Sequence, residues 1–144
     1  MAFLSKDELK TVTTVPLIDK LTASDDTIVT QIIDESIALM KSYLSKYYDV
    51  DAIFAAENSE RNLNVLKRLK DICRYEIYDR LNNNITSVIK KYEEAMRWLE
   101  KLNSGEFYDR TLPKRIVDDT TDIATESDDV RFGGNTRYIN DTFY

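Results

Sequence analysis

The sequence contains no histidine, one cysteine, three glycines and two prolines among its 144 residues. Without histidine the chain lacks the commonest general base and metal ligand, and it cannot form a Ser-His or Cys-His catalytic pair. Neither of the glycine-rich phosphate-binding motifs, GxxxxGK[ST] and GxGxxG, occurs. These absences argue against an enzyme, and we expect no catalytic residue, no cofactor and no metal ion.

Long hydrophobic runs are also missing, so the sequence predicts no membrane span. The N-terminal sequence MAFLSKDELK lacks the charged and apolar regions of a secretory signal, which favours synthesis inside the cell. One cysteine cannot form an internal disulfide, and Cys73 falls on the apolar face of a predicted helix. A buried thiol is favoured there over a reactive one. With 42% hydrophobic and 32% charged residues, the chain is typical of one soluble domain with its own core.

The net charge of −6 is unevenly distributed. Residues 1–56 carry nine acidic and five basic side chains, residues 57–105 carry eight and ten, and residues 106–144 carry nine and five. A chain this acidic is not typical of proteins that bind nucleic acid tightly without regard to sequence. Its surface is compatible with DNA that passes without being held, and equally with no DNA contact.

The spacing of apolar residues predicts an all-α fold, a small bundle of four to five helices with an extended C-terminal arm. The central helix, about residues 60–81 and capped by Asn58 or Ser59, has apolar residues over about half its circumference, from Leu63 to Leu81. Such a wide face needs at least two packing partners. The other helical segments begin or end at recognisable signals. They are about 6–11, where Ser5 and Glu8 have the spacing of a capping box, a short turn from Pro16, about 26–48, and about 88–103, which Thr86 or Ser87 caps and Gly105 follows. Residues 53–54 are predicted to lie in a loop or a single helical turn.

Residues 1–105 therefore form the predicted helical domain, and residues 106–144 the extended arm. Pro113, the acidic run DDTTDIATESDD (118–129) and the loss of helical period favour an extended arm. Residues 130–139 are compatible with a small β-hairpin. Because the arm has no core of its own, its aromatic side chains are predicted to contact another subunit or a partner protein. They are Phe107, Tyr108, Phe132, Tyr138, Phe143 and Tyr144.

Within the helical domain, tyrosines cluster on two helices that are predicted to pack together. They are either half-buried boundary residues or part of a protein–protein surface. The interface candidates among them are Tyr47, Tyr48, Tyr75 and Tyr78. Trp98 lies at the edge of the last apolar stripe, either as a lid on the core or as an interface anchor.

Two charged pairs on the central helix, Asp71 with Arg74 and Glu76 with Arg80, have helical spacing. They are predicted to be structural ion pairs, with a polar contact between subunits as the alternative. The basic side of this helix is predicted to be solvated, with an acidic neighbouring subunit as the alternative partner. It comprises Arg61, Lys67, Arg68, Lys70, Arg74 and Arg80.

Three successive segments, IIDESIALMKSYLSKYYDV, LKRLKDICRYEIYDRL and KYEEAMRWLEKLNSG, resemble the small head–tail connector (adaptor, neck) proteins of tailed phages and Mu-like prophages. The resemblance covers about residues 5–105, and the terminal FGGNTRYI is similar to the closing segment of many such proteins. The acidic run at 118–129 departs from that pattern. The residues that carry the resemblance are Tyr43, Leu44, Tyr47, Tyr48, Asp71, Ile72, Arg74, Tyr75, Tyr92, Glu93, Ala95, Trp98, Leu99 and Gly105.

This resemblance implies a non-enzymatic virion protein of the head–tail junction, made in the bacterial host cytoplasm. Its subunits would be monomeric when free and would form a twelve-fold ring under the portal protein. The ring would extend the DNA channel and seat a neck or tail-completion protein, with genome DNA passing through without specific binding and no membrane contact. Two alternatives are a helical protein–protein interaction module unrelated to virions and a DNA-binding regulator. The regulator needs a basic recognition helix, which the acidic N-terminal half lacks.

Overall fold

The computed structural model describes residues 2–116, which contain five α-helices and two short 3₁₀ helices. Within this range there is no strand, and the only β-type pairing is a single antiparallel bridge between Tyr48 and Lys114. The predicted all-α fold is therefore confirmed. The 3₁₀ helices are Lys6–Thr11 and Asn58–Glu60. The α-helices are α1 (Val15–Thr22), α2 (Asp26–Leu44), α3 (Val50–Ala55), α4 (Leu63–Asp79) and α5 (Thr86–Ser104).

Helix α4 lies at the centre of the fold and packs against both α2 and α5, which also contact each other. Its wide apolar face is buried as predicted, including the Cys73 thiol. Leu63 and Leu81, which the periodicity placed on this face, are exposed. They lie at the first residue of α4 and just beyond its last, so the predicted face extended too far at both ends. None of the helices in residues 2–116 is long and apolar enough to cross a membrane.

The helix ends explain these differences in length. Asn62 begins α4, because its side-chain oxygen accepts hydrogen bonds from the backbone N–H groups of Asn64 and Val65. The predicted caps, Asn58 and Ser59, instead belong to the preceding 3₁₀ turn. Helix α5 starts after Ile85 with no side-chain cap, so neither Thr86 nor Ser87 fills that role.

The predicted basic side of α4 is solvated only in part, since Lys67 and Arg80 are exposed and the other four basic residues are half-buried. Four of the six donate hydrogen bonds to the N-terminal segment, residues 3–21, and so attach that segment to the bundle. The bonds run from Arg61 to the Phe3 carbonyl and Glu8, from Lys70 to Thr11, from Arg74 to the Val12 carbonyl, and from Arg80 to the Leu21 carbonyl.

The two predicted ion pairs are consequently not made. Within residues 2–116, Asp71 forms no ion pair with Arg74, and Glu76 forms none with Arg80, because both arginines point toward backbone carbonyls. The buried Asp71 carboxylate keeps one oxygen without a hydrogen-bond partner. Burial raises the pKa of Asp71, although the neighbouring cations, first Lys67, act in the opposite direction.

Candidate interaction surface

The chain leaves α5 at Gly105, whose φ of +83° is the left-handed conformation that commonly ends a helix. A methyl group at this position would lie 3.3 Å from the Tyr47 hydroxyl, so glycine is favoured by both backbone and space. The Phe107 N–H then donates to the Lys101 carbonyl at 3.2 Å, which folds the chain back over the end of the bundle. We call residues 106–116 the C-terminal strap.

The C-terminal strap is part of the folded domain. Leu112 is buried in the core, and the Asp109 N–H donates to the Tyr48 hydroxyl at 3.0 Å. The strap also crosses the start of α4, where the Asn62 amide donates to the Thr111 hydroxyl at 2.9 Å. The domain packing thus extends past the predicted boundary at residue 105, and the first part of the arm has a core to pack on.

A short antiparallel pairing holds the end of the strap beside the segment that follows α2. The Asp49 N–H donates to the Pro113 carbonyl at 2.9 Å, and the Arg115 N–H donates to the Tyr47 carbonyl at 3.0 Å. These two bonds flank the bridge between Tyr48 and Lys114. The C-terminal ends of α2 and α5 therefore meet at one end of the bundle, which we call the strap end.

Three aromatic side chains remain accessible at the strap end, and we call them the aromatic patch. Tyr47 is 37% exposed, Phe107 45% and Tyr108 42%. The Tyr108 ring stacks on Tyr48 with centroids 5.7 Å apart, which covers one face of the ring. Aromatic side chains of this kind are enriched at protein–protein interfaces, where they supply large contact area at low conformational cost.

Lysine side chains border the aromatic patch. The Lys46 ammonium lies 5.2 Å from the Tyr47 ring centroid, and the Lys114 ammonium lies 5.6 Å from that of Tyr108. Both distances are typical of cation–π contacts. Ile116, the last described residue, is almost fully exposed where the strap ends. The strap end can therefore bind apolar and aromatic groups of a partner, with positive charge at its edge.

Two of the predicted interface tyrosines lie inside the domain instead. Tyr48 is buried beneath the strap, and burial raises the pKa of its hydroxyl. Tyr78 is also buried, with its hydroxyl 3.3 Å from that of Thr13. Both side chains serve the packing of this chain, and we assign no partner contact to either.

Tyr75 and Trp98 are both half-buried on the packed pair α4 and α5. The Tyr75 ring stacks on Tyr92 with centroids 3.9 Å apart, so it joins the two helices. Trp98 lies on α5 with the Arg68 guanidinium 5.8 Å from its ring. It covers part of the core and leaves part of the indole accessible.

Four predicted interface residues, together with the predicted hairpin at 130–139 and the acidic run at 118–129, lie outside the described residues. They are Phe132, Tyr138, Phe143 and Tyr144.

Among residues 2–116, no group of three or more acidic or cysteine side chains is placed to hold a metal ion. Burial raises the pKa of the Cys73 thiol to about 12, so this thiol stays protonated at neutral pH.

The two buried residues of the strap, Asp109 and Leu112, were not predicted from the sequence. A local signal was present, because Asp109 precedes Thr111 by two residues and caps its N–H at 2.9 Å, as aspartate does in turns. Such a turn followed by an apolar residue predicts a fold-back, although it does not identify the surface that receives it.

The family model described as "Bacteriophage Mu, Gp36" matches residues 2–109 of the chain. The match spans all five α-helices and the beginning of the C-terminal strap. It ends before the acidic run at 118–129. No curated protein and no solved structure matches the chain.

Proposed function

Because this chain belongs to the bacteriophage Mu Gp36 family, we propose that it is a non-enzymatic structural protein of the virion, a head–tail adaptor. In this proposal its subunits form a twelve-fold ring beneath the portal protein. The ring extends the channel through which genome DNA passes and provides the seat for a neck or tail-completion protein. The protein would be made in the bacterial host cytoplasm and incorporated at the head–tail junction.

The observation that carries the partner-binding part of this proposal is the aromatic patch. Three partly exposed aromatic side chains lie at one end of the bundle, and two of them, Phe107 and Tyr108, belong to the strap that the core fixes in place. A rigid support of this kind reduces the conformational entropy that is lost when a partner binds. The patch is thus suited to a stable contact with another virion protein.

The charge of the chain supports the proposed channel. A net charge of −6 disfavours retention of DNA phosphates, which a channel for a moving genome must avoid. A DNA-binding regulator requires the opposite balance. Two of the basic side chains in the middle of the chain, Arg61 and Arg74, also hold the N-terminal segment, which reduces the positive surface available to DNA.

Electron microscopy of the full chain mixed with the portal protein of the same phage tests the proposal. We expect an added ring at one face of the portal, with its channel continuous with the portal channel. The portal of an unrelated phage is the control and should remain bare. Bare cognate portals at every ratio, together with tight DNA binding in moderate salt, would favour the regulator and contradict the adaptor.

A further inference from the structure

A second surface lies on the side of the bundle, between α4 and α5. We call it the Trp98 groove, a shallow depression of about 300 Å³. The accessible part of the indole forms its apolar portion, and the Arg68 guanidinium lies over the ring. The lining residues are Arg68, Glu94, Arg97, Trp98 and Lys101.

The charges in this groove are unbalanced. Its single acidic residue, Glu94, pairs with Lys91 outside the lining at 3.6 Å. Lys101 makes only a long contact of 4.0 Å with Glu106. Within residues 2–116, neither Arg68 nor Arg97 forms an ion pair. Two guanidinium groups beside an indole are therefore available to carboxylates, which arginine binds in a bidentate manner.

The same chain contains a segment with the complementary charge. Residues 118–129 carry six acidic side chains, no basic side chain and one bulky apolar residue, Ile123. We propose that this acidic segment binds the Trp98 groove of its own chain. Its carboxylates pair with Arg68, Arg97 and Lys101, and Ile123 packs against the indole.

The course of the strap shows that the acidic segment has only a short distance to cross to reach the Trp98 groove. Between residues 107 and 114 the chain passes from the Lys101 carbonyl, past Asn62 at the start of α4, to Tyr48 beyond α2. Arg68 lies six residues beyond Asn62, about 9 Å along the helix. Residues 117–129 can span about 40 Å when extended, which is enough to return to the groove.

A short tether also favours the chain's own segment over other ligands. Intramolecular binding through a short linker corresponds to an effective concentration of about a millimolar. The acidic side chains of a second copy, such as Asp34 and Glu35 on α2, can compete only if that copy is present at a similar concentration. This inference does not depend on the adaptor role, because it concerns the free chain.

Trp98 is the only tryptophan, so its fluorescence in the full-length chain reports directly on the groove. The test variant removes the segment's charge with D118N, D119N, D122N, E126Q, D128N and D129N. The control variant, T120A with T121A and T125A, changes the same segment but keeps its charge. Far-UV circular dichroism checks that helix content is equal in all three proteins.

We expect acrylamide to quench Trp98 at least twofold more efficiently in the test variant than in the wild type or the control. Raising NaCl from 0.05 to 1 M should bring the wild type to the variant's value, because salt screens the pairing. Equal quenching of wild type and test variant at low salt would overturn the proposal.

A second measurement determines whose groove is occupied. An equimolar mixture of ¹⁴N- and ¹⁵N-labelled wild-type protein is treated with a carbodiimide, which joins lysines to neighbouring carboxylates. We expect cross-links between Lys101 and residues 118–129 in which both peptides carry the same isotope. Cross-links with mixed isotopes would place the segment on another copy and overturn binding within one chain.

Discussion

The Tyr48 hydroxyl accepts a hydrogen bond from the Asp109 backbone N–H at 3.0 Å, and both residues are buried. The two residues are 61 positions apart in the chain. This bond therefore joins the segment that follows α2 to the C-terminal strap, which carries Phe107 and Tyr108 of the aromatic patch. The geometry of the proposed binding surface depends on a contact inside the domain.

Replacing Tyr48 with phenylalanine leaves the buried Asp109 N–H without an acceptor while preserving the ring. We expect the free energy of unfolding to fall by about 1–3 kcal/mol, measured by urea denaturation. Tyr47→Phe is the matched control, because Tyr47 is exposed, and it should change stability by less than about 0.5 kcal/mol. Equal effects of the two substitutions would show that the strap is not held by this bond.

Truncation distinguishes the strap from the rest of the arm. A chain ending at Gly105 loses the buried Leu112 and the bond to Tyr48. We expect it to be less stable than the full-length chain by about 3 kcal/mol or more, given the cost of emptying a leucine site. A chain ending at residue 116 keeps these contacts and should unfold within about 1 kcal/mol of full length. A stable chain ending at Gly105 would contradict the role of the strap in the core.

Arg61 donates through three separate N–H groups, two of which reach the N-terminal segment. It donates to the Phe3 carbonyl and to Glu8 at 2.7 Å each, and to the Asn58 carbonyl at 2.9 Å. Arg61→Lys keeps the charge but cannot reproduce the planar fork, so we expect a loss of about 1–2 kcal/mol in urea denaturation. Arg110→Lys, on the exposed side of the strap, is the control and should be neutral. A neutral Arg61→Lys would mean that the bonds from Arg61 do not help to hold the segment.

The environment of Glu76 makes the stability of the protein depend on pH, which provides a further test. Burial raises the pKa of Glu76, and the nearby carboxylates Asp79 and Glu35 add to the effect. The folded state therefore binds this proton more tightly than the unfolded state, so stability is lost as pH rises through the raised pKa. Glu76→Gln should be more stable than wild type at pH 7, by about 0.2–0.5 kcal/mol.

The difference between Glu76→Gln and wild type should disappear below the ordinary pKa of glutamate, where both side chains are uncharged. Thermal unfolding of the two proteins across this range measures it. Glu93→Gln, on the exposed side of α5, is the control. A variant that is less stable than wild type at pH 7 would show that Glu76 has a stabilising partner.

Local sequence signals predicted much of the helical fold. The Ser5–Glu8 capping box, the buried Cys73 and the turn at Gly105 all appear as expected, because each depends on residues within a few positions of one another. The apolar period of α4 likewise indicated a helix packed on two sides. Such signals are reliable because helix geometry repeats over a short distance.

The candidate surface was less predictable, because long-range contacts determine it. Helix α2 ends at Leu44 and not at the predicted residue 48, so its period does not indicate that Tyr48 is buried under the strap while Tyr47 stays accessible. The partners of Arg74 and Arg80 are carbonyls 59 or more positions away, which helical spacing does not reveal. The period of a helix identifies its buried face but not which distant segment covers it.

Binding of the cognate portal protein by the aromatic patch is the most direct test of the account. Light scattering would measure the mass of portal complexes formed with wild type, Phe107→Ser and Leu81→Ser. Phe107 and Leu81 are similarly exposed, at 45% and 50%. They lie at opposite ends of the bundle, about 25 Å apart along α4.

We predict that wild type and Leu81→Ser saturate the portal equally, whereas Phe107→Ser binds at least tenfold more weakly, as expected for an aromatic anchor. Equal binding by all three proteins would contradict the assignment of the patch. A portal that gains no mass with the wild-type protein would contradict the adaptor function itself.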